Sequence, residues 1–167
     1  MVRFTLGFGT AAPSEQKDLL REEGYGISIT WLEVDADYFF SEYVGIGPWI
    51  ATSFGGSEPD QDKGGPELNA TSYFMGAEVP FVFGSSTVRV VLAPRVGVGW
   101  GKLEFGSGGG KFDSGFAFGL ELSVLFPKAH VGPTLGLIRL PLDPPGELGR
   151  DYDAGATFLG VTGVIDG

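Results

Sequence analysis

Cysteine is absent from this 167-residue chain, which removes disulfides, thiolate metal centres and cysteine nucleophiles. Histidine occurs once, at His130. Basic residues are scarce: 11 Lys and Arg face 21 Asp and Glu, for a net charge of −10. Nucleic acid is thereby excluded as a partner, because its phosphates require clustered Lys and Arg. No run of about 18 apolar residues occurs, so a transmembrane helix is excluded on length and only strands remain as a way across a bilayer. The start Met1-Val2-Arg3-Phe4 shows no basic region followed by a long apolar stretch, so no secretory signal is visible. Export then rests on the assumption that Met1 has replaced such a signal.

What is present is apolar and aromatic surface. Hydrophobic residues make up 43% and aromatic residues 13%, far more than a disordered chain carries despite 29 Gly and 11 Pro. The length suits one domain spanning residues 1–167, closed around a single interior.

The strongest pattern is alternation with a period of two. From Val88 to Trp100 the even positions read Val88, Val90, Leu92, Pro94, Val96, Val98 and Trp100, whereas the odd ones are Arg89, Val91, Ala93, Arg95, Gly97 and Gly99. The next segment repeats the separation, with Phe116, Phe118, Leu120, Leu122 and Val124 set against Gly115, Ala117, Gly119, Glu121 and Ser123. A helix would scramble these faces; a strand keeps them apart. The same rule places eight strands, at Val2–Ala11, Tyr25–Phe40, Tyr43–Phe54, Asn69–Phe83, Thr87–Phe105, Phe112–Phe126, His130–Leu140 and Asp153–Ile165. In the second strand the apolar parity shifts from Ile27, Ile29 and Trp31 to Leu32, Val34, Ala36 and Tyr38, which reads as a bulge or an extension beyond the membrane.

Connections alternate in length. Those at Ser41-Glu42, Gly84-Ser85-Ser86 and Pro127-Lys128 are tight, and those over Ala12–Gly24, Gly55–Leu68, Gly106–Lys111 and Pro141–Tyr152 are mostly longer and polar. That asymmetry belongs to an up-and-down meander with a short-turn end and a long-loop end. The fold class expected is all-β: a closed, up-and-down antiparallel transmembrane barrel of eight strands.

Interior volume decides which face points out. Eight strands enclose only enough room for side chains, so rows of Val, Leu, Phe and Trp from every strand would overfill the inside. The small-residue face fits better, and it carries charges of both signs. Glu78, Arg89, Arg95, Asp113 and Glu121, with Glu33, Asp35 and Asp37 of the second strand, are expected inside, Arg89 and Arg95 pairing with carboxylates and Glu78 and Glu121 as their foremost partners. Leu92, Val96, Phe118 and Leu120 are expected to face lipid. Aromatic girdles are expected at both ends: Tyr38, Phe39, Phe40, Tyr43, Phe81, Phe83 and Phe126 by the short turns, and Phe54, Tyr73, Trp100, Phe105 and Phe112 toward the long loops.

With these features the chain resembles the small outer-membrane barrel families exemplified by the OmpA transmembrane domain and OmpX. The most family-like stretch runs from Leu32 through Val34, Ala36 and Tyr38 to Phe40, turns at Ser41-Glu42, and returns through Tyr43-Val44-Gly45-Ile46-Gly47. The resemblance implies a bacterial outer-membrane location, with short turns in the periplasm and long loops outside the cell. It carries no catalytic residues. The end Val164-Ile165-Asp166-Gly167 departs from the terminal aromatic usual in such families.

Chemistry-bearing motifs are few. His130 falls beside the Pro127-Lys128 turn with no serine near it in sequence, so a nucleophile constellation is not visible. Gly106-Ser107-Gly108-Gly109-Gly110-Lys111 has neither the spacing nor the following helix of a phosphate loop and is expected to be a flexible hairpin loop. Loop acids at Glu58, Asp60, Asp62 and Glu67, and at Asp143, Glu147, Asp151 and Asp153, lack the spacing of a calcium loop. The expectation is a monomeric, non-enzymatic barrel without catalytic residues, cofactor or metal. Outer-membrane lipid and lipopolysaccharide surround it, and its long loops make structural or recognition contacts. A soluble lipocalin-like carrier of an apolar ligand and a membrane-embedded lipid-modifying enzyme are the alternatives.

Overall fold

The computed structural model describes residues 1–11, 28–57, 68–105, 108–142, 152–153 and 155–165. The strands are β1 (Val2–Ala11), β2 (Ser28–Ala36), β3 (Tyr38–Phe39), β4 (Gly45–Ser57), β5 (Leu68–Glu78) and β6 (Phe81–Gly84), then β7 (Arg89–Phe105), β8 (Gly108–Leu125), β9 (Val131–Arg139), β10 (Pro141–Leu142), β11 (Tyr152–Asp153) and β12 (Ala156–Ile165). Eight of them form the wall in the order β2-β1-β12-β9-β8-β7-β5-β4, and β4 returns to pair with β2. Every pairing is antiparallel and the cylinder has no open edge along this path. Closure matters because a backbone group left unpaired in hydrocarbon costs several kcal/mol, roughly, each.

Several expected boundaries differ from what forms. The fourth predicted strand is split into β5 and β6 at Pro80, whose missing N–H cannot continue the ladder. The second is interrupted at Asp37, whose backbone N–H donates to the Met1 carbonyl at 2.8 Å, and β3 then resumes the line against β4. Gly108 to Lys111, expected as loop, belong to β8 and pair with Phe105 to Lys102, so β7 and β8 make one long hairpin. Its register shifts once, between Gly99 and Gly101, where β8 carries one residue more than β7. Gly55 to Ser57 and Leu68, expected within a long loop, belong to β4 and β5, and Pro141, Leu142 and Tyr152, expected within another, belong to the short pair β10 and β11. The rest of the long-loop expectations, over residues 12–24, 58–67 and 143–151, lies outside the described residues, as do the side chains of Phe105, Phe112 and Asp113.

The apolar face is outside. Val96, Phe118 and Leu120 are 51%, 45% and 44% exposed, Leu92 is half-covered on the same face, and β1, β2, β4 and β12 add Leu6, Leu32, Ile50 and Leu159 to the belt. A soluble carrier would have the reverse arrangement. Tyr38, Phe40, Tyr43, Phe83 and Phe126 project at the short-turn end, with Phe39 and Phe81 half-buried beside them. Phe54, Tyr73 and Trp100 project higher up, the last two stacked with centroids 5.9 Å apart.

The inside is layered. Toward the long-loop end lies an apolar cluster of Ile29, Trp31, Phe74, Ile138, Leu140 and Phe158, in which Trp31 stacks on Phe158 at 4.6 Å. Ile29 and Trp31 therefore point inward in unbroken alternation with Glu33 and Asp35, and β2 pairs in continuous register with both neighbours. The parity shift of the second strand is a change of interior layer, not a bulge. Gly136 on β9 leaves the space that the Phe158 ring fills, since a Cβ there would collide with Phe158 Cζ.

Leu120 lies six residues from Phe126 of the lower girdle, about 20 Å along the strand and hence about 14 Å in height at a tilt near 45°, the middle of an apolar band about 25 Å tall. Leu120→Arg is expected to cost about 2 to 4 kcal/mol in a lipid refolding titration, and Tyr38→Arg, at the interface, about 0 to 1 kcal/mol. Equal costs at both positions would contradict this placement.

Candidate functional site: a buried ion network

Below the aromatic layer the inward positions change from large rings to charges. Alternation along β2 brings Glu33 and Asp35 inside, with Asp37 just beyond the strand end; β5 contributes Glu78, β7 Arg95, β8 Glu121 and β1 Arg3. Register then does the gathering: Glu78 stands directly opposite Arg95, and Arg3 opposite Asp35. All seven side chains are buried.

Arg95 donates from Nη1 to Glu33 Oε2 at 2.5 Å and from Nη2 to Glu78 Oε2 at 2.7 Å and Glu121 Oε2 at 3.2 Å, with Asp35 Oδ1 at 3.5 Å. Arg3 donates from Nε to Asp37 Oδ2 at 3.1 Å, from Nη1 to Glu121 Oε1 at 2.6 Å, and from Nη2 to Glu78 Oε1. Glu78 and Glu121 thus each give one oxygen to each guanidinium. Asp35 also spans both, its Oδ2 lying 3.8 Å from Arg3 Nη2. The guanidinium of Arg95 lies 5.1 Å over the Trp49 ring, and the Trp31 indole N–H donates to Glu33 Oε2 at 3.1 Å, which ties the network to the aromatic layer.

A second chain of hydrogen bonds joins from the opposite wall. Ser123 Oγ donates to Glu121 Oε1 at 3.0 Å. With that proton committed, the contact of Ser123 with Thr134 (2.8 Å) must have Thr134 as donor; Thr162 then donates to Thr134 (2.5 Å) and Thr5 to Thr162 (2.7 Å). Four strands therefore align their hydroxyl dipoles toward one carboxylate, an arrangement in which each bond strengthens the next.

The predicted charge residues divide. Glu78, Arg95 and Glu121 meet as neighbours, together with Glu33, Asp35 and Asp37. Arg89 does not join them. It occupies the short-turn mouth, half-buried, and makes no ion pair among the described residues. Its parity is that of Arg95, but six residues of strand separate them by about 20 Å. The second cation is instead Arg3. The signal for it was present, because Arg3, Thr5, Gly7 and Gly9 alternate with Phe4, Leu6 and Phe8 as on the other strands. His130 is exposed at the turn after β8 with φ of +53°, and its carbonyl accepts from Val164 N–H at 2.9 Å.

A scan against protein-family models finds no match, and no curated protein sequence matches either. Solved structures do. Neisserial surface protein A aligns over 97% of this chain and 95% of its own, with a TM-score of 0.62 and 13% identity. Ail, the attachment invasion locus protein of Yersinia pestis, solved with the heparin analogue sucrose octasulfate, covers 97% and 96% with a TM-score of 0.60 and 17% identity. The outer membrane enzyme PagL covers 98% and 99% with a TM-score of 0.53 and 10% identity.

Arg95→Met is expected to destabilise the barrel by about 3 to 5 kcal/mol, since it leaves Glu33 and its neighbours buried without their cation. Arg3→Met should do the same, whereas Arg89→Met should stay within about 0.5 kcal/mol. Urea titrations in micelles measure all three; a large loss at Arg89 would show that it belongs to the network. With a closed antiparallel cylinder, an apolar belt outside and charges inside, the chain has the fold of the small eight-stranded transmembrane β-barrels of outer-membrane type.

Proposed function

We propose that the chain is a monomeric, non-enzymatic barrel of the bacterial outer membrane, surrounded by lipid and lipopolysaccharide, that does its work at its long-loop end and outer surface. The observation that carries this is the burial of Arg3, Trp31 and Glu121, each 0% exposed. A water-filled channel would wet the side chains lining it at mid-height. A filled interior leaves no route for a solute, so transport is disfavoured and contact chemistry is left to the ends and the belt. The long connections are rich in acids, among them Glu58, Asp60, Asp62 and Glu67, which favours a cationic surface as the recognised partner.

The fold itself is neutral between adhesion and catalysis, as Ail and the enzyme PagL share it. Favouring the non-enzymatic reading, the lone histidine sits at the short-turn rim, and its ring makes no hydrogen bond to a serine or carboxylate among the described residues. Lipid A from cells with and without the protein should be identical, and His130→Ala should change nothing; a modification lost in that variant would establish an enzyme instead. Planar-bilayer recordings of the purified barrel should show no steady conductance above that of the empty bilayer. Steady, ion-selective current from monomers would overturn the plugged-barrel reading.

A further inference from the structure

The lipid-facing wall is not evenly convex. From β7 across β5, β4 and β2 to β1 it carries an apolar furrow of about 670 Å³. The furrow follows one cross-strand row, in which Trp100 pairs with Tyr73, Tyr73 with Thr52, Thr52 with Leu32 and Leu32 with Leu6. Thr52 is the short member of this row and is half-buried between exposed Leu32 and Tyr73. Its hydroxyl donates to the Ser72 carbonyl at 3.1 Å, so only its methyl group is left to the furrow. Height fixes what lies alongside. Trp100 stands six residues beyond Pro94, the partner of mid-height Leu120, and Leu32 stands six residues from Tyr38 of the lower girdle. With a strand tilt near 45°, Trp100 is at the upper edge of the apolar band and Leu32 at its middle. The row therefore descends obliquely from the long-loop interface toward the bilayer centre.

We propose that this furrow seats one acyl chain of lipopolysaccharide, the lipid on the long-loop side of the outer membrane. Four strand spacings of about 4.8 Å separate Trp100 from Leu6, so the row is about 19 Å long and at this tilt descends about 14 Å. Half of a bilayer's hydrocarbon core is about 15 Å, so the furrow matches the depth of one leaflet. Its upper end carries what hydrocarbon alone would not need. The Tyr73 O–H and the Trp100 Nε1–H, on rings stacked 5.9 Å apart, make no hydrogen bond among the described residues. Two donors at the interface suit the ester carbonyl from which an acyl chain hangs. A second copy of the barrel fits less well, because a two-fold contact is self-complementary: furrow would face furrow and leave the space between them unfilled. The seat rests on the outer-membrane reading and refines it, naming one lipid that is bound rather than adjacent.

The test is native mass spectrometry of the whole folded barrel released from micelles that contain lipid A. One lipid A should stay with each monomer. Thr52→Trp, which fills the furrow, should lower retention by about tenfold or more, whereas Leu137→Trp, the same change on the lipid face of β9, should leave it unchanged. Tyr73→Phe keeps the ring and removes the donor. It should weaken binding of dipalmitoyl phosphatidylethanolamine, an ester-linked probe, by about fivefold and leave that of its ether-linked analogue unchanged. Barrels extracted from outer membranes should carry lipopolysaccharide; phospholipid at one per barrel would overturn that choice of lipid. No retained lipid, retention that survives Thr52→Trp, or a dimer that Thr52→Trp disperses would overturn the seat, the last by placing a second copy in the furrow. A barrel that stays folded and monodisperse without detergent would end the membrane reading itself, whereas one that needs detergent yet holds no lipid would end only the seat.

Discussion

A sheet that spans hydrocarbon has to close, because its edge groups have no water to turn to. Here the pairing of β2 with β4 meets that constraint, and most of the remaining structure follows from it. Closing at eight strands fixes an interior only wide enough for side chains. Alternation then gives every strand one row for lipid and one for that interior, and the inner rows must be small enough, or complementary enough, to fill it together. The sequence meets this with two different fillings. Rings and aliphatic groups occupy the upper half, with Gly136 yielding space to Phe158, and a charge network bounded by the hydroxyls of Thr5, Ser123, Thr134 and Thr162 occupies the half below.

The two halves are linked, and the links explain why neither is a passive plug. Trp31 belongs to the aromatic stack and also donates to Glu33; Trp49 lies under the Arg95 guanidinium and sends its indole N–H to the Ala77 and Val96 carbonyls at 3.3 Å. Replacing such a network with apolar groups of matching volume can be neutral for stability, whereas deleting one member is not. What the charges add is register. Glu78 opposite Arg95, and Arg3 opposite Asp35, meet only when their strands are paired as observed, and a slip of one residue would send each to the lipid face.

Much of this was legible from alternation alone. β1 forms over the whole of Val2–Ala11 as expected, and on β7 and β8 the expected outward row (Val96, Phe118, Leu120) and inward row (Arg95, Glu121) are the rows that form. The errors share a cause: parity reports a face but not a height or a layer. Arg89 and Arg95 have the same parity, yet one stands at the mouth and the other at the centre. The parity shift at Ile29 and Trp31 reads as a bulge or an extension only while hydrophobicity is equated with the outside, and the upper interior is itself apolar. Pro80 splits a strand whose face pattern runs on past it, and Asp37 reaches the network from beyond the end of β2. Arg3 carried the right parity but was judged with the chain start rather than with its strand. How two arginines divide five carboxylates depends on strand order around the cylinder, which no single segment contains.

The central claim, that this closed wall turns its apolar row to lipid and its charged row inward, is tested most directly by magnetisation transfer from lipid acyl chains to the folded protein in nanodiscs. Strong transfer to the side chains of Val96, Leu120, Leu137 and Leu159, with none to Ala93, Ala117 or Thr134, is the result expected. Transfer to the second group, or water contact at the first, would contradict it.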